Sequence, residues 1–269
     1  MKTPDRQSEN NRLMGKTPQL VLIRSNVRGQ WIRYILLMAT LSVAGIVLYP
    51  WDMQLTSLLR EIAELPGDFR RVLALCELVA HGTGVAIILM VIWCLAPHHR
   101  LHLPRVAACG FVAGLVATGI KLMHARLRPM ACPPELEQIS RTWQGWWPAF
   151  NENLPGSYDY AYQSFPSAHT ATAVGFAIGM TWLFPRGKFV FISLAVLSGL
   201  QRVVFFAHWP SDVIFGAVVG VFFGACFVLP GTVGNYLFNR LEWRFGIGND
   251  LEGLAVPVQS QIENHRRAA

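Results

Sequence analysis

The sequence lacks the patterns that usually indicate a metal site or a disulfide framework. No CxxC and no HExxH occurs in its 269 residues. Of the five cysteines, four lie in apolar segments, where a thiol packs as a small hydrophobe, and only Cys132 lies in a long loop. We therefore expect no internal disulfide framework, no metal site and no cofactor.

Charged residues are also scarce, at 14% of the chain, and positive residues outnumber negative ones to give a formal net charge of +7. A positive balance could suggest a nucleic-acid partner. The basic residues, however, mostly flank apolar blocks and form no patterned patch, so we reject nucleic-acid binding. Hydrophobic residues make up 52% of the chain and gather into long blocks, as in a polytopic membrane protein. No cleavable signal peptide is evident, because the first apolar run starts near Ile32 after a long polar lead.

The apolar blocks predict an all-α polytopic membrane helical bundle with about six transmembrane helices plus an interfacial helix. The predicted spans are 32–49, 72–96, 106–123, 166–183, 189–206 and 210–229. Between the first two, apolar residues recur at helical spacing: Leu55, Leu58, Leu59 and Ile62. This pattern favours an amphipathic helix along the membrane surface or a short helix packed on the bundle. In the last span, glycines four residues apart allow close helix packing: Gly216, Gly220 and Gly224.

The charge distribution predicts the orientation of the chain. Six spans place both termini on one side of the membrane, and that side carries 15 of the 23 lysines and arginines. Positive residues favour the cytoplasm, so the tails at 1–30 and 230–269 are predicted to be cytoplasmic. The domain at 31–229 would then place its long loop, 130–164, outside the cytoplasm. In a bacterium this means an inner-membrane protein with that face in the periplasm.

One stretch, RVVFFAHWPSD at 202–212, combines a cation, an imidazole and a carboxylate at the end of an apolar segment. If the chain turns helically there, His208 and Asp212 share one face at i and i+4. The carboxylate could then hold one ring nitrogen and leave the other free to attack. Arg202 supplies a fixed positive charge suited to a phosphate or carboxylate. The alternative is an Arg and an Asp at helix ends with an interfacial His between them.

Two other stretches carry groups of the same kind. In KLMHARLRP, Lys121 and Arg128 are two helical turns apart and can point one way before Pro129 ends the helix, while His124 and Arg126 are expected to be secondary. PSAH at 166–169 opens the fourth span. Ser is favoured at a helix start, and the backbone N–H groups of Ala168 and His169, with Ser167, make an anion site.

Two features allow more than one interpretation. The loop at 130–164 is rich in Trp and Tyr, so it either covers the site and guides a lipid or forms a lid without substrate contact. Glu77 and His81 are ionisable residues four apart near the start of the second span. A functional role is the alternative, but at the interfacial end we interpret them as a structural pair.

Taken together, K-x6-R-P, PSAH and R-x5-H-x3-D resemble the three-part signature of the type 2 phosphatidic acid phosphatase superfamily. That superfamily includes lipid phosphatases, glucose 6-phosphatases and vanadium haloperoxidases. The resemblance covers about 121–220, and it departs at Ala168, where the family usually has Gly, and at Gln201, where it usually has Ser. It implies a bacterial-type membrane lipid phosphatase that acts on a lipid phosphate or diphosphate without a metal.

The resemblance also implies roles for individual residues. His208 attacks phosphorus to form a phosphohistidine, Asp212 orients it, and His169 acts as acid for the leaving oxygen and then as base for water. The implied phosphate-binding residues are Lys121, Arg128, Ser167, Ala168 and Arg202. A lipid phosphotransferase using the same intermediate and a non-catalytic membrane protein of the same fold are the alternatives. The headgroup stays open among undecaprenyl diphosphate, phosphatidic acid, phosphatidylglycerol phosphate and lipid A, as does the oligomeric state.

Overall fold

The computed structural model describes residues 27–62, 67–133, 138–147 and 159–245. Within these ranges the chain forms α1 (Val27–Leu48), α2 (Asp52–Ile62), α3 (Gly67–Leu75), α4 (Gly82–Leu95), α5 (Leu103–Lys121), α6 (Ala168–Leu183), α7 (Lys188–Val204), α8 (Pro210–Val228) and a helix over 233–245, α9. The predicted all-α bundle is confirmed. Most of the predicted N-terminal tail, the last residues of the C-terminal tail and the middle of the 130–164 loop lie outside the described residues.

Helix α6 is at the centre of the bundle, because it packs against α5, α7 and α8. Small residues make this close packing possible. A Cβ on Gly220 of α8 would lie 2.7 Å from the carbonyl oxygen of Ala171, and one on Gly224 would lie 2.9 Å from the side chain of Ile178. The glycine spacing in α8 therefore predicted its packing correctly. Large apolar side chains such as Ile46, Met90 and Val196 remain exposed on the outer faces, as expected for helices surrounded by lipid.

Four stretches of the described chain are long and apolar enough to cross a membrane: 28–59, 97–121, 185–204 and 210–228. A fifth is obtained if the pair 70–79 and 82–95 counts as one span, although the two helices are bent by 70°. The predicted span at 72–96 is thus not one straight helix. A Cβ on Gly84 would overlap the backbone carbonyl of Leu78, so the bend relies on the absence of a side chain there.

The remaining predicted span, 166–183, is the helix α6, which has only 16 residues. Sixteen residues rise about 24 Å, which is less than the roughly 30 Å thickness of the hydrocarbon layer. Since its neighbours surround it, α6 does not have to match the bilayer by itself. The prediction of about six spans therefore corresponds to four or five by length and composition, together with this shorter central helix.

The predicted amphipathic helix is α2, which follows α1 after a single 3-10 turn at Tyr49–Trp51. It contacts α7 and α8, so it is packed on the bundle. Its first residue, Asp52, is completely buried. This position brings a carboxylate from the beginning of the chain to the start of α8.

The chain leaves the helical bundle after Lys121, where α5 ends. Two short antiparallel strands follow, β1 (His124–Arg126) and β2 (Trp143–Trp146), in the register His124 to Trp146. The prediction that Lys121 and Arg128 lie on one helix that Pro129 ends is therefore wrong. The Arg128 backbone is extended, and Pro129 instead opens a 3-10 turn.

Helix α9 lies within the segment predicted as a C-terminal tail. It is anchored to α5 through Arg105, which is buried and donates two 2.9 Å hydrogen bonds to the carboxylate of Glu242. Asn239 accepts a third hydrogen bond from the same guanidinium. The first part of this segment is therefore packed against the bundle.

Candidate active site

Seven of the eight predicted site residues lie where α5 ends, α6 begins, α7 ends and α8 begins, and the eighth, Arg128, lies just after β1. The backbone joins these ends directly, since Ser167 N–H donates to the carbonyl of Asp212 at 3.0 Å. The cations are close enough to interact electrostatically: Lys121 with Arg128 and Arg202, and His169 with all three. The structure thus brings together three motifs that are separated in the sequence by 36 and 32 intervening residues.

The sequence suggested that His208 and Asp212 share one face of a helix. In the structure His208 precedes α8, so the two residues do not share a helix face. The two side chains nevertheless approach, with Nδ1 of His208 at 3.8 Å from Oδ2 of Asp212. This is longer than a hydrogen bond, but it directs Nδ1 to the carboxylate and leaves Nε2 for an incoming substrate. Burial, reinforced by the nearby charge of Lys121, lowers the pKa of His208 to about 3. The imidazole is therefore neutral at pH 7, the state that a nucleophile requires.

Asp212 is fixed by a set of donors around both of its oxygens. Trp209 N–H donates to Oδ2 at 3.0 Å, the Ser164 hydroxyl donates to the same oxygen, and the Arg126 guanidinium donates to Oδ1. The side chain is completely buried. A buried carboxylate with this many donors remains ionised and cannot rotate away from His208.

Arg128 is held on three sides by groups that do not neutralise it. Its guanidinium donates to the carbonyls of Ala207 at 3.0 Å and Gln163 at 2.9 Å, and it lies 3.6 Å from the ring centroid of Tyr160. Within 27–62, 67–133, 138–147 and 159–245, no carboxylate lies within ion-pair distance of Arg128 or Lys121. Both cations are buried, so an anionic group of the substrate would neutralise their charge. Through Tyr160, the long aromatic loop contacts a predicted phosphate-binding residue.

Ser167 caps α6, as its position at the helix start predicted. Its hydroxyl accepts from Thr170 N–H at 3.4 Å and from the Thr170 hydroxyl at 2.9 Å. The side chain is completely buried and is engaged in this cap. The backbone N–H groups at the start of α6, including that of Ala168, are the groups able to receive an anion.

Arg202 has a carboxylate partner, whereas Lys121 and Arg128 have none among the described residues. Its guanidinium lies 2.9 Å from Glu77 and also donates to the side chain of the neighbouring Gln201. Glu77 is in turn 3.6 Å from Nε2 of His169. The interpretation of Glu77 and His81 as a structural pair is wrong, because His81 instead lies 2.8 Å from the Thr83 hydroxyl. Glu77 belongs to the site. The sequence feature that could have indicated this is an ionisable residue within an apolar segment.

Two further residues of the site were not predicted from the sequence. Arg126, expected to be secondary, contacts Asp212 directly, and Asp52 contacts Arg126 at 2.8 Å. Arg126 is on β1 rather than on α5, which the helical spacing could not show. Asp52 could have been singled out from the sequence, because it is an acidic residue directly after the first apolar segment.

Comparisons with known proteins identify similar sequences and structures. The PAP2 superfamily matches residues 103–232. Lipid A 1-phosphatases of Rhizobium johnstonii and Rhizobium etli are each 44% identical to this chain over 69 residues. These matches cover 26% of this chain and 28% and 30% of the two relatives, so the chain spans less than a third of their length in the alignments.

Two solved structures are also similar. One is that of Aquifex aeolicus LpxE, with 17% identity, a TM-score of 0.47, and coverage of 64% of this chain and 91% of that chain. The other is a transmembrane PAP2 type phosphatidylglycerolphosphate phosphatase from Bacillus subtilis, with 16% identity, a TM-score of 0.44, and coverage of 72% and 91%. The range matched by the family, 103–232, contains all eight of the predicted site residues. This chain is an integral membrane protein whose residues 103–232 match the PAP2 superfamily.

Proposed function

We propose that the protein is a metal-independent lipid phosphatase that works through a phosphohistidine. The observation that supports this most strongly is the pairing of a neutral, buried His208 with two buried cations, Lys121 and Arg128, that have no carboxylate partner among the described residues. A phosphate monoester carries two negative charges, so it would neutralise the charges of Lys121 and Arg128. Arg202 and the N-terminus of α6 add further donors.

The reaction proceeds in two steps. In the first, Nε2 of His208 forms a bond to phosphorus while the bond from phosphorus to the leaving oxygen breaks. His169, which the bound phosphate dianion keeps protonated, gives that oxygen a proton. The ring of His208 becomes positive, and Asp212 stabilises this charge. In the second step, water attacks phosphorus, His169 takes its proton, and the phosphorus–nitrogen bond breaks to release inorganic phosphate.

The body of the substrate lies in a groove of about 260 Å³ between the start of α4, α5 and α6. His169 lines this groove together with Phe111, Leu115 and Thr118. Because the acid must reach the leaving oxygen, the leaving group has to be on the His169 side of phosphorus. Leu115 is 70% exposed on the outer face of the bundle, so the groove is accessible from the surrounding lipid. This arrangement supports a lipid leaving group.

Among lipid substrates, a phosphorylated lipid A is the first to test, because the two Rhizobium relatives carry the name lipid A 1-phosphatase. The excess of positive residues on the side of the termini supports a site that faces the periplasm of an inner membrane. On that side, the enzyme would act on lipids of the outer leaflet.

The experiment is a phosphate-release assay with purified protein and four lipids: lipid A, phosphatidic acid, phosphatidylglycerol phosphate and undecaprenyl diphosphate. The expected result is release from at least one lipid by the wild type and none by His208→Ala. A phosphotransferase would instead move phosphate to an acceptor lipid without releasing it. Absence of both products with all four lipids would reject the proposal in favour of a non-catalytic protein.

A further inference from the structure

A buried ionic cluster lies behind Asp212, on the side away from His208. Arg126 is at its centre, 1% exposed, and binds two carboxylates that are each 0% exposed: Asp212 through Nη1 and Asp52 through Nη2 at 2.8 Å. Ser211 completes the cluster, because its N–H donates to Asp52 at 2.9 Å and its hydroxyl also bonds to Asp52. The three charged groups come from α2, β1 and α8.

The charges in this cluster determine how strongly Asp212 can stabilise a positive charge on His208. Asp52 and Asp212 each carry one negative charge and Arg126 one positive charge, so the cluster has a net charge of −1. Without Asp52, Arg126 would neutralise Asp212 and the net charge would be zero. In a buried site the surrounding medium screens charges weakly, so this difference acts strongly on a positive ring nearby.

We propose that Asp52 is a positioning residue for the phosphoryl transfer: it neutralises Arg126 so that the carboxylate of Asp212 keeps its charge for His208. This inference rests on the proposed function, because it concerns the positive ring that forms when His208 attacks phosphorus. The planar guanidinium of Arg126 fixes the orientation of Asp212, and Asp52 balances the positive charge of that guanidinium. Neither Asp52 nor Arg126 is among the predicted phosphate-binding residues.

A purely structural role for Asp52 would be to fasten α2 to α8. The two roles make different predictions when Arg126 is changed as well. If Asp52 only fastens the helices, a second substitution in the cluster removes further contacts and cannot restore activity. If Asp52 balances charge, replacing Arg126 by a neutral residue returns the net charge to −1 and restores part of the activity.

The test compares the wild type with Asp52→Asn, Arg126→Gln and the double variant, on a lipid that the wild type hydrolyses. We expect Asp52→Asn to lower kcat by about 10²-fold with little change in KM, since Lys121, Arg128 and Arg202 are untouched. The double variant should be at least about tenfold more active than Asp52→Asn. A double variant no more active than Asp52→Asn, or an Asp52→Asn protein with wild-type kcat, would overturn the inference.

Folding is controlled by measuring the Tm and the elution profile of each variant in detergent. If Asp52→Asn does not fold, the comparison is made between the wild type and the double variant, whose clusters both have a charge of −1. Charge balance predicts a kcat of the double variant within about tenfold of the wild type, and a loss of about 10²-fold or more in a folded double variant overturns the inference. A wild type that releases no phosphate from any of the four lipids would overturn the proposed function, and this inference with it.

Discussion

The contact between α6 and α8 makes a sharp prediction at Gly216. This residue lies one helical turn after Asp212 and faces the start of α6. A Cβ at this position would overlap the carbonyl oxygen of Ser167 and would lie only 3.2 Å from its carbonyl carbon and its Cβ. An ordinary contact between carbon atoms is about 3.5–4.0 Å, so the two helices would have to separate by about 0.5–1 Å.

Such a separation affects both stability and the site. Overpacking of a close contact costs about 1–3 kcal/mol, so Gly216→Ala should lower the Tm. Ser167 N–H donates to the Asp212 carbonyl, so a shift of α6 also moves the proposed phosphate site relative to Asp212. A displacement of about 1 Å can cost about 10²-fold in rate. We therefore expect kcat/KM of Gly216→Ala to fall by about 10²-fold at temperatures where the variant is folded.

Gly220→Ala is the matched control, since its Cβ would lie 2.7 Å from the carbonyl oxygen of Ala171, one turn farther from the site. It should be destabilised like Gly216→Ala but should keep most of its activity. Gly119→Ala should affect neither property, because no atom lies within 4 Å of its added Cβ. The measurements are Tm in detergent and kcat/KM for phosphate release. Wild-type activity in a stable Gly216→Ala protein, or an equal loss in Gly220→Ala, would refute the reasoning.

Four further predictions concern the proposed chemistry. His169→Ala should slow phosphate release by about 10²–10⁴-fold, and wild-type turnover would remove His169 from the mechanism. Activity should persist in excess chelator, since the described residues contain no group of three metal-ligating side chains. Complete loss that one divalent metal restores would contradict this. Leu115→Trp should lower kcat/KM on a lipid, whereas Val196→Trp, in the separate apolar groove of about 540 Å³ between α1, α6, α7 and α8, should not. Equal effects of the two would argue against the groove beside His169. Finally, a cysteine within 130–164 should react with an impermeant thiol reagent on intact cells and one within 98–102 should not, while the reverse labelling would place the site in the cytoplasm.

The sequence could predict those parts of the site that local chemistry determines. Ser167 caps a helix because its side chain bonds to the next turn, and Arg202 lies in the last turn of α7. The glycines of α8 pack closely because four-residue spacing puts them on one face. In each case, the relevant interaction lies within a few residues of the chain or follows from helical periodicity, both of which are visible in the amino-acid order.

The rest depends on contacts between distant segments. Asp52 and Ser211 are 159 residues apart, yet two hydrogen bonds join them. Arg126 reaches Asp212 because α5 ends at Lys121 and the next residues form a strand. Helical spacing placed Arg126 away from Lys121 and Arg128, and that inference failed with the helix on which it depended. No periodicity in the sequence indicates that Arg126 joins Asp52 on α2 to Asp212 on α8.

Gln201 shows how an unpredicted contact explains a departure from the family signature. The family usually has serine here, and the sequence alone showed only that a polar side chain was retained. In the structure, Oε1 of Gln201 accepts a hydrogen bond from Arg202, while Nε2 lies 3.4 Å from the Glu77 carboxylate. A serine hydroxyl is two carbon atoms closer to the backbone, so it could not reach both groups. Gln201 therefore holds Arg202 and Glu77 together, and its length suits a site in which this arginine has a carboxylate partner that lies 125 residues away in the chain.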